Sequence, residues 1–130
     1  MGQAQPMDKR TRVLLVEDEP LISEMVADAL EEQGFVVHVV SNAADALHHI
    51  ESGAVVDALF TDVHLPGGMD GSELATRVRA MRPDMPIVYA SGRWHPGIES
   101  ELVSRSIFLP KPYDPRDAGT LLTRLVSSPH

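Results

Sequence analysis

The chain has 130 residues, 43% of them hydrophobic, and a formal net charge of −8 at neutral pH. That length suits one globular domain with its own core, and the acidic balance opposes direct nucleic-acid binding, whose affinity rests on clustered Lys and Arg. The absence of cysteine excludes disulfide frameworks, thiolate nucleophiles and zinc-thiolate sites. With no signal-like N-terminus and no apolar run near the roughly 20 residues that span a bilayer, a cytoplasmic protein with no membrane partner is expected.

Residues 1–10 are polar, include Gly2 and Pro6 and lack a hydrophobic period, so a flexible tail is expected there. One domain then runs over 11–127, with a short tail at 128–130. The apolar run 13–16 reads as a strand. Pro20 follows at a first helical turn, and Leu21, Ile22, Met25, Val26, Ala29 and Leu30 recur at helical spacing up to Gly34. Run 36–40 is β-branched apart from His38, and Ser41 caps a second helix carrying Ala43, Ala44, Leu47 and Ile50, which ends near Gly53. A third strand, 56–61, leads through the Pro66-Gly67-Gly68 turn to a helix with Leu74, Ala75, Val78 and Met81 on one face, closed by Pro83. A fourth strand, 86–90, precedes a short helix interrupted by Pro96 and Gly97. The fifth, 107–109, precedes a helix with Asp114 as N-cap, Pro115 at its first position and Leu121, Leu122, Leu125 and Val126 facing inward. Five alternations of short buried strand and amphipathic helix predict an α/β domain, a parallel sheet covered on both faces.

Four of the five apolar runs are followed at once by a residue able to handle a phosphoryl group: Glu17 and Asp18, Asp62, Ser91, and Lys111. An open parallel sheet collects its ligand site beyond the carboxyl ends of its strands, so these residues are expected in one pocket. Glu17 and Asp18 repel each other unless a cation lies between them, and a few carboxylates suit Mg²⁺. Asp62 either completes that metal site or acts as a nucleophile towards phosphorus. Lys111 offers a positive charge and Ser91 a hydroxyl to phosphoryl oxygens. Together they predict a metal-assisted phosphoryl-transfer site.

Val-Glu-Asp-Glu-Pro at 16–20, Thr-Asp-Val-His-Leu-Pro at 61–66, Ala-Ser-Gly at 90–92 and Lys-Pro-Tyr at 111–113 resemble the four motif blocks of the receiver domain of two-component response regulators. The resemblance covers residues 11–127. It implies a flavodoxin-like five-stranded sheet in the order 2-1-3-4-5, with Asp62 as phosphoacceptor and Glu17, Asp18 and Asp62 as metal acids. The backbone carbonyl of His64 would be a further Mg²⁺ ligand, Ser91 the switch hydroxyl, Lys111 the conserved-type lysine before a cis Pro112, and Phe108 the switch aromatic. The implied partners are a sensor histidine kinase or a histidine phosphotransfer protein, with an unknown downstream protein target. Output would run through the side containing Trp94, Phe108 and the last helix, and the last two strand-helix units would offer a homodimer contact. Such a domain hastens its own dephosphorylation but is a switch more than a turnover enzyme.

The Pro-Gly-Gly-Met stretch at 66–69 is one residue longer than in most receivers and resembles the form in receivers attached to hybrid sensor kinases and in some stand-alone ones. The 92–110 connection is slightly short. Plainer roles stand beside the functional ones: helix-start acids for Asp18 and Glu19, a turn residue for Ser91, a core residue for Phe108, and a solvated or half-buried helix face for His48 and His49. Two other activities fit parts of the pattern, a Mg²⁺-dependent phosphohydrolase with an aspartyl nucleophile and an interaction module that is never phosphorylated. In the former the second residue after the nucleophile is an Asp in relatives of the haloacid dehalogenases, whereas here it is His64.

Overall fold

The computed structural model describes residues 9–93 and 102–127. Its elements in chain order are β1 (Arg12–Val16), α1 (Pro20–Glu32), β2 (Val36–Val40), α2 (Ala43–Glu51), β3 (Ala58–Asp62), α3 (Gly71–Met81), β4 (Ile87–Ser91), β5 (Ser106–Pro110) and α4 (Pro115–Ser127). The strands form one parallel sheet in the order β2-β1-β3-β4-β5. This is the flavodoxin-like, doubly wound arrangement expected from the sequence.

Alternation along each strand builds two cores. Leu14, Val16, Leu59, Ile87 and Tyr89 face the side packed by α2 and α3 through Ala46, Ile50, Leu74 and Val78. Val13, Leu15, Phe60, Val88 and Ala90 face the opposite side, where Val26 and Leu30 of α1 meet Ala118 and Leu122 of α4. Each large side chain so buried contributes roughly 1.5–3 kcal/mol relative to exposure. β1, β3 and β4 carry most of this burial because each has a strand on both sides.

Several expectations change on contact with the structure. β2 and β5 are edge strands, so they are not the fully buried runs predicted: His38 and Val39 are exposed, and most of β5 is half-buried. The periodic face of α1 divides in two. Val26 and Leu30 reach the core, whereas Leu21 and Met25 are 78% and 58% exposed, because the apolar arc is wider than the strip of sheet available to it. In α2 the inward positions are Ala43, Ala46 and Ile50, with Ala44 outside. Asn42, not Ser41, caps that helix, accepting the Asp45 N–H at 2.8 Å. Met81 is 39% exposed at the C-terminal end of α3. Asp114 does cap α4, its Oδ1 accepting the Arg116 N–H at 2.9 Å. His49 is half-buried and stacks on His38 of β2, with ring centroids 4.0 Å apart and planes 7° from parallel. The short helix expected around Pro96 and Gly97, Trp94 and the outermost tail residues lie outside the described residues.

Candidate functional site

Register brings the site residues to the carboxyl end of the sheet. Val16 pairs with Thr61, Asp62 with Ala90 and Ser91 with Pro110, so the residues at or just past four strand ends share one level. Asp62 is the last residue of β3 and is 6% exposed. Its Oδ2 accepts from Lys111 Nζ at 2.7 Å, and its Oδ1 accepts from the His64 backbone N–H at 3.2 Å. The ammonium contact is the shorter one, as charge assistance dictates. Lys111 leaves β5 one residue past its end, and its peptide bond to Pro112 is cis.

The acids lie opposite. Glu17 is 4% exposed, and its Oε2 accepts the Glu19 backbone N–H at 3.1 Å. Asp18 is exposed beside it. Carboxylate oxygens of Glu17, Asp18 and Asp62 all lie within 4.8 Å of one another. Burial pushes the Glu17 carboxyl above its ordinary value; the Glu19 amide pulls it down, Asp62 pushes it further up, Lys111 pulls down and Asp18 pushes up. Burial would lower the Lys111 ammonium, but the hydrogen bond and charge of Asp62, with Glu17 and Glu19, hold it above its usual range. Burial next to Glu17 and Asp62 likewise raises the Tyr113 phenol, which therefore stays neutral; its ring tilts on Phe60 at a centroid distance of 5.9 Å. Three clustered carboxylates facing one ammonium leave an excess of negative charge, and an all-oxygen donor set of that kind fits Mg²⁺ better than a softer metal.

Ser91 ends β4 and is 2% exposed, but its hydroxyl is turned to its own chain, where Oγ accepts the Arg93 N–H at 3.0 Å. Among the described contacts it makes none with Asp62. Phe108 is half-buried against the Leu14–Tyr89 face of the sheet. For His64, the contact present is its amide on Asp62, and its side chain is exposed.

Gly71 is a position of the receiver pattern to which the sequence assigns no role at the site. A Cβ there would lie 2.0 Å from the Asp62 carbonyl oxygen, and the Gly71 N–H donates to Val63 O at 2.7 Å. The first turn of α3 thus rests directly on the backbone of the central acid. The signal was present as a glycine directly after the helix cap Asp70, but its cause is a close approach rather than an unusual backbone angle.

The family model of the response regulator receiver domain matches residues 13–122. The chain belongs to the response regulator receiver family. This receiver is 32% identical to a response regulator receiver protein from Sinorhizobium medicae, with a TM-score of 0.86 over 92% of this chain and 97% of that one. It is 30% identical over 112 residues to the transcriptional regulatory protein YbdJ of Bacillus subtilis, a match covering 84% of this chain and 48% of that protein. The receiver spans about half or less of the length of the curated relatives it matches first. The response regulator TrrA of Thermotoga maritima, crystallised in complex with Mg²⁺-BeF, shares the fold at 24% identity and a TM-score of 0.76, over 88% of this chain and 98% of that one. Membership makes the receiver a two-component signalling module rather than a turnover enzyme. Among its described residues, no helix is long and apolar enough to cross a membrane.

Proposed function

We propose that this receiver accepts a phosphoryl group on Asp62 from a phosphohistidine of a sensor kinase or phosphotransfer protein. The observation that carries the reading is the convergence on one buried carboxylate of an ammonium at 2.7 Å and two further acids within 4.8 Å. Glu17, Asp18 and Asp62, with the His64 carbonyl, would hold Mg²⁺. The ion, when bound, supplies charge neutralisation between the carboxylate and the incoming phosphoryl oxygens.

Asp62 is the nucleophile: a P–O bond forms to its carboxylate as the P–N bond to the donor histidine breaks. Lys111 follows the negative charge, passing from Oδ2 to a phosphoryl oxygen. Ser91 gives up the Arg93 amide and turns its hydroxyl to another phosphoryl oxygen. That exchange releases the start of the β4–β5 connection and so couples chemistry to shape, with Phe108 repacking behind it. The same pocket admits water, which limits the lifetime of the acyl phosphate.

The exposed side of α1 suits the donor protein. Leu21 and Met25 lie just past the metal acids, and Ile22, Met25 and Val26 line an apolar groove with Lys111, Pro112, Tyr113 and Pro115. Such a patch beside a charged pocket is the usual mark of a protein contact. The domain boundaries 11–127, a homodimer through the last two strand-helix units and a protein target beyond them belong to the same reading.

Intact-protein mass after incubation with a small acyl phosphate, with and without Mg²⁺, tests it. One Mg²⁺-dependent phosphoryl adduct is expected, absent from Asp62→Asn. An adduct that survives that substitution moves the acceptor elsewhere. Steady turnover of phosphate esters would replace the switch with a phosphohydrolase.

A further inference from the structure

The face of β4 that ends in Ser91 also carries Tyr89, and the two side chains do related things at the two flanks of the β4–β5 connection. Ser91 Oγ accepts the Arg93 N–H at 3.0 Å on the outgoing side. The Tyr89 phenol oxygen accepts the Val103 N–H at 3.3 Å on the returning side. The Ser106 hydroxyl bonds to the same phenol and donates to the Val103 carbonyl. Arg79 of α3 holds the next carbonyls, those of Ser104 and Arg105. Tyr89 is 1% exposed in an otherwise apolar core, where a Phe of the same shape would carry no polar group to satisfy. A buried hydroxyl left without partners costs about 1–3 kcal/mol, so its place here depends on the Val103 and Ser106 contacts. Directly across the sheet, Tyr89 is the register partner of Phe108, and Val103 and Phe108 pack on the same cluster.

We propose that Tyr89 is a positioning residue of the switch, the link by which a change at Ser91 reaches Val103 and the start of β5. This rests on the phosphoacceptor reading of Asp62. When Ser91 turns to a phosphoryl oxygen, the strand end it shares with Tyr89 shifts. The phenol then changes its hold on the Val103 amide, and Phe108 repacks against a ring that has moved. A Phe at 89 would keep the packing and sever the link.

The Val103 amide is its own probe, because the bond in question is to its proton. Hydrogen exchange at Val103, followed by NMR with and without Mg²⁺ and beryllofluoride, is expected to change about fivefold in the wild type, the weight of one hydrogen bond. In Tyr89→Phe the unliganded amide exchanges faster by about the same factor and the difference between the two states collapses. The Asp62 adduct with a small acyl phosphate meanwhile reaches the wild-type extent. A Tyr89→Phe protein that keeps the wild-type difference overturns the proposal, as does a wild type that takes the adduct with no response at Val103. A wild type that takes no adduct overturns the phosphoacceptor reading, and this one falls with it. Should Tyr89→Phe not fold, fluorotyrosine incorporated into the wild-type chain decides the matter. The chain has two tyrosines, and a Tyr89 resonance that stays fixed on beryllofluoride addition refutes the link, whereas a shifted one supports it.

Discussion

Asp62 holds two donors of different strength, and the difference fixes what each does. The His64 amide at 3.2 Å belongs to the backbone and stays with the strand end, whereas the Lys111 ammonium at 2.7 Å sits on a flexible stem and can move with the charge. Lys111→Met keeps the length of that stem and deletes the charge, leaving three acids without their counter-ion. Breaking a fully buried pair costs about 3–5 kcal/mol. The Lys111 side chain is 27% exposed, so a smaller loss of about 1–3 kcal/mol is expected in urea unfolding with chelator present. The same variant should form the Mg²⁺-dependent adduct more slowly, and an undiminished rate would remove Lys111 from the phosphoryl site. Asp62 and Lys111 were legible because each follows an apolar run, and a parallel sheet brings strand ends together whatever lies between them. The Arg93 amide on Ser91 and the Val103 amide on Tyr89 were not legible. They depend on how Arg93 and Val103, outside any periodic element, are placed against β4, which no period in the sequence encodes.

Helices show the same division between pattern and packing. The spacing in α1 located the helix correctly but could not tell the stripe that meets the sheet from the Leu21 and Met25 stripe that faces out. Two glycines make the point in energies. A Cβ at Gly71 would meet the backbone oxygen of Asp62 at 2.0 Å, whereas one at Gly119 would meet the Gln33 side-chain oxygen at 2.2 Å. Backbone cannot step aside, so Gly71→Ala should cost about 1–3 kcal/mol through strain and lower the adduct yield by displacing Asp62. Gln33 can swing away, giving up its 3.2 Å bond to Arg116 O, while a helical Ala gains about 1 kcal/mol over Gly. Gly119→Ala should therefore lie within about 1 kcal/mol of wild type in the same urea titration. The stack of His38 on His49 ties β2 to α2 and makes their contact pH-dependent. Partial burial, then the neighbouring His38 and His48, lower the His49 imidazole below its ordinary 6.5. Protonation is thus harder in the folded chain than in the unfolded one. The stability linked to His49 is complete above pH 6.5 and is lost as pH falls through the lowered folded value. Urea midpoints should drop between pH 7.5 and 5.5 by less in His49→Gln than in wild type, and an equal drop would place the sensitivity elsewhere.

At the scale of the whole molecule, the order of strands decides the chemistry. Because β1 and β4 flank β3, the acids after β1 gather beside Asp62 on one side and Ser91 ends the neighbouring strand on the other, its hydroxyl still held by Arg93, while β5 adds Lys111 from beyond. Alternating strand and helix made the parallel sheet readable, but only the motif resemblance supplied the order in which the strands lie. The arrangement concentrates negative charge in a chain already at −8, with Glu17 and Asp62 almost fully buried. Folding has to bring these carboxylates together, so a cation that binds the folded site and not the unfolded chain should stabilise the fold as a whole. Mass action gives about 2.7 kcal/mol at a hundredfold excess of Mg²⁺ over its Kd. For a domain of this size that is roughly 10 °C in Tm, given the usual entropy of unfolding per residue. Added NaCl at matched ionic strength separates binding from general screening, because screening acts on every surface charge while binding acts at one site. Thermal scans in Mg²⁺ and in chelator should show the rise for wild type and little of it for Asp18→Asn, whose side chain is exposed and whose loss leaves the core untouched. If Asp18→Asn gained as much from Mg²⁺ as wild type, the ion would be stabilising the surface at large, and the three acids would be a cluster without a ligand.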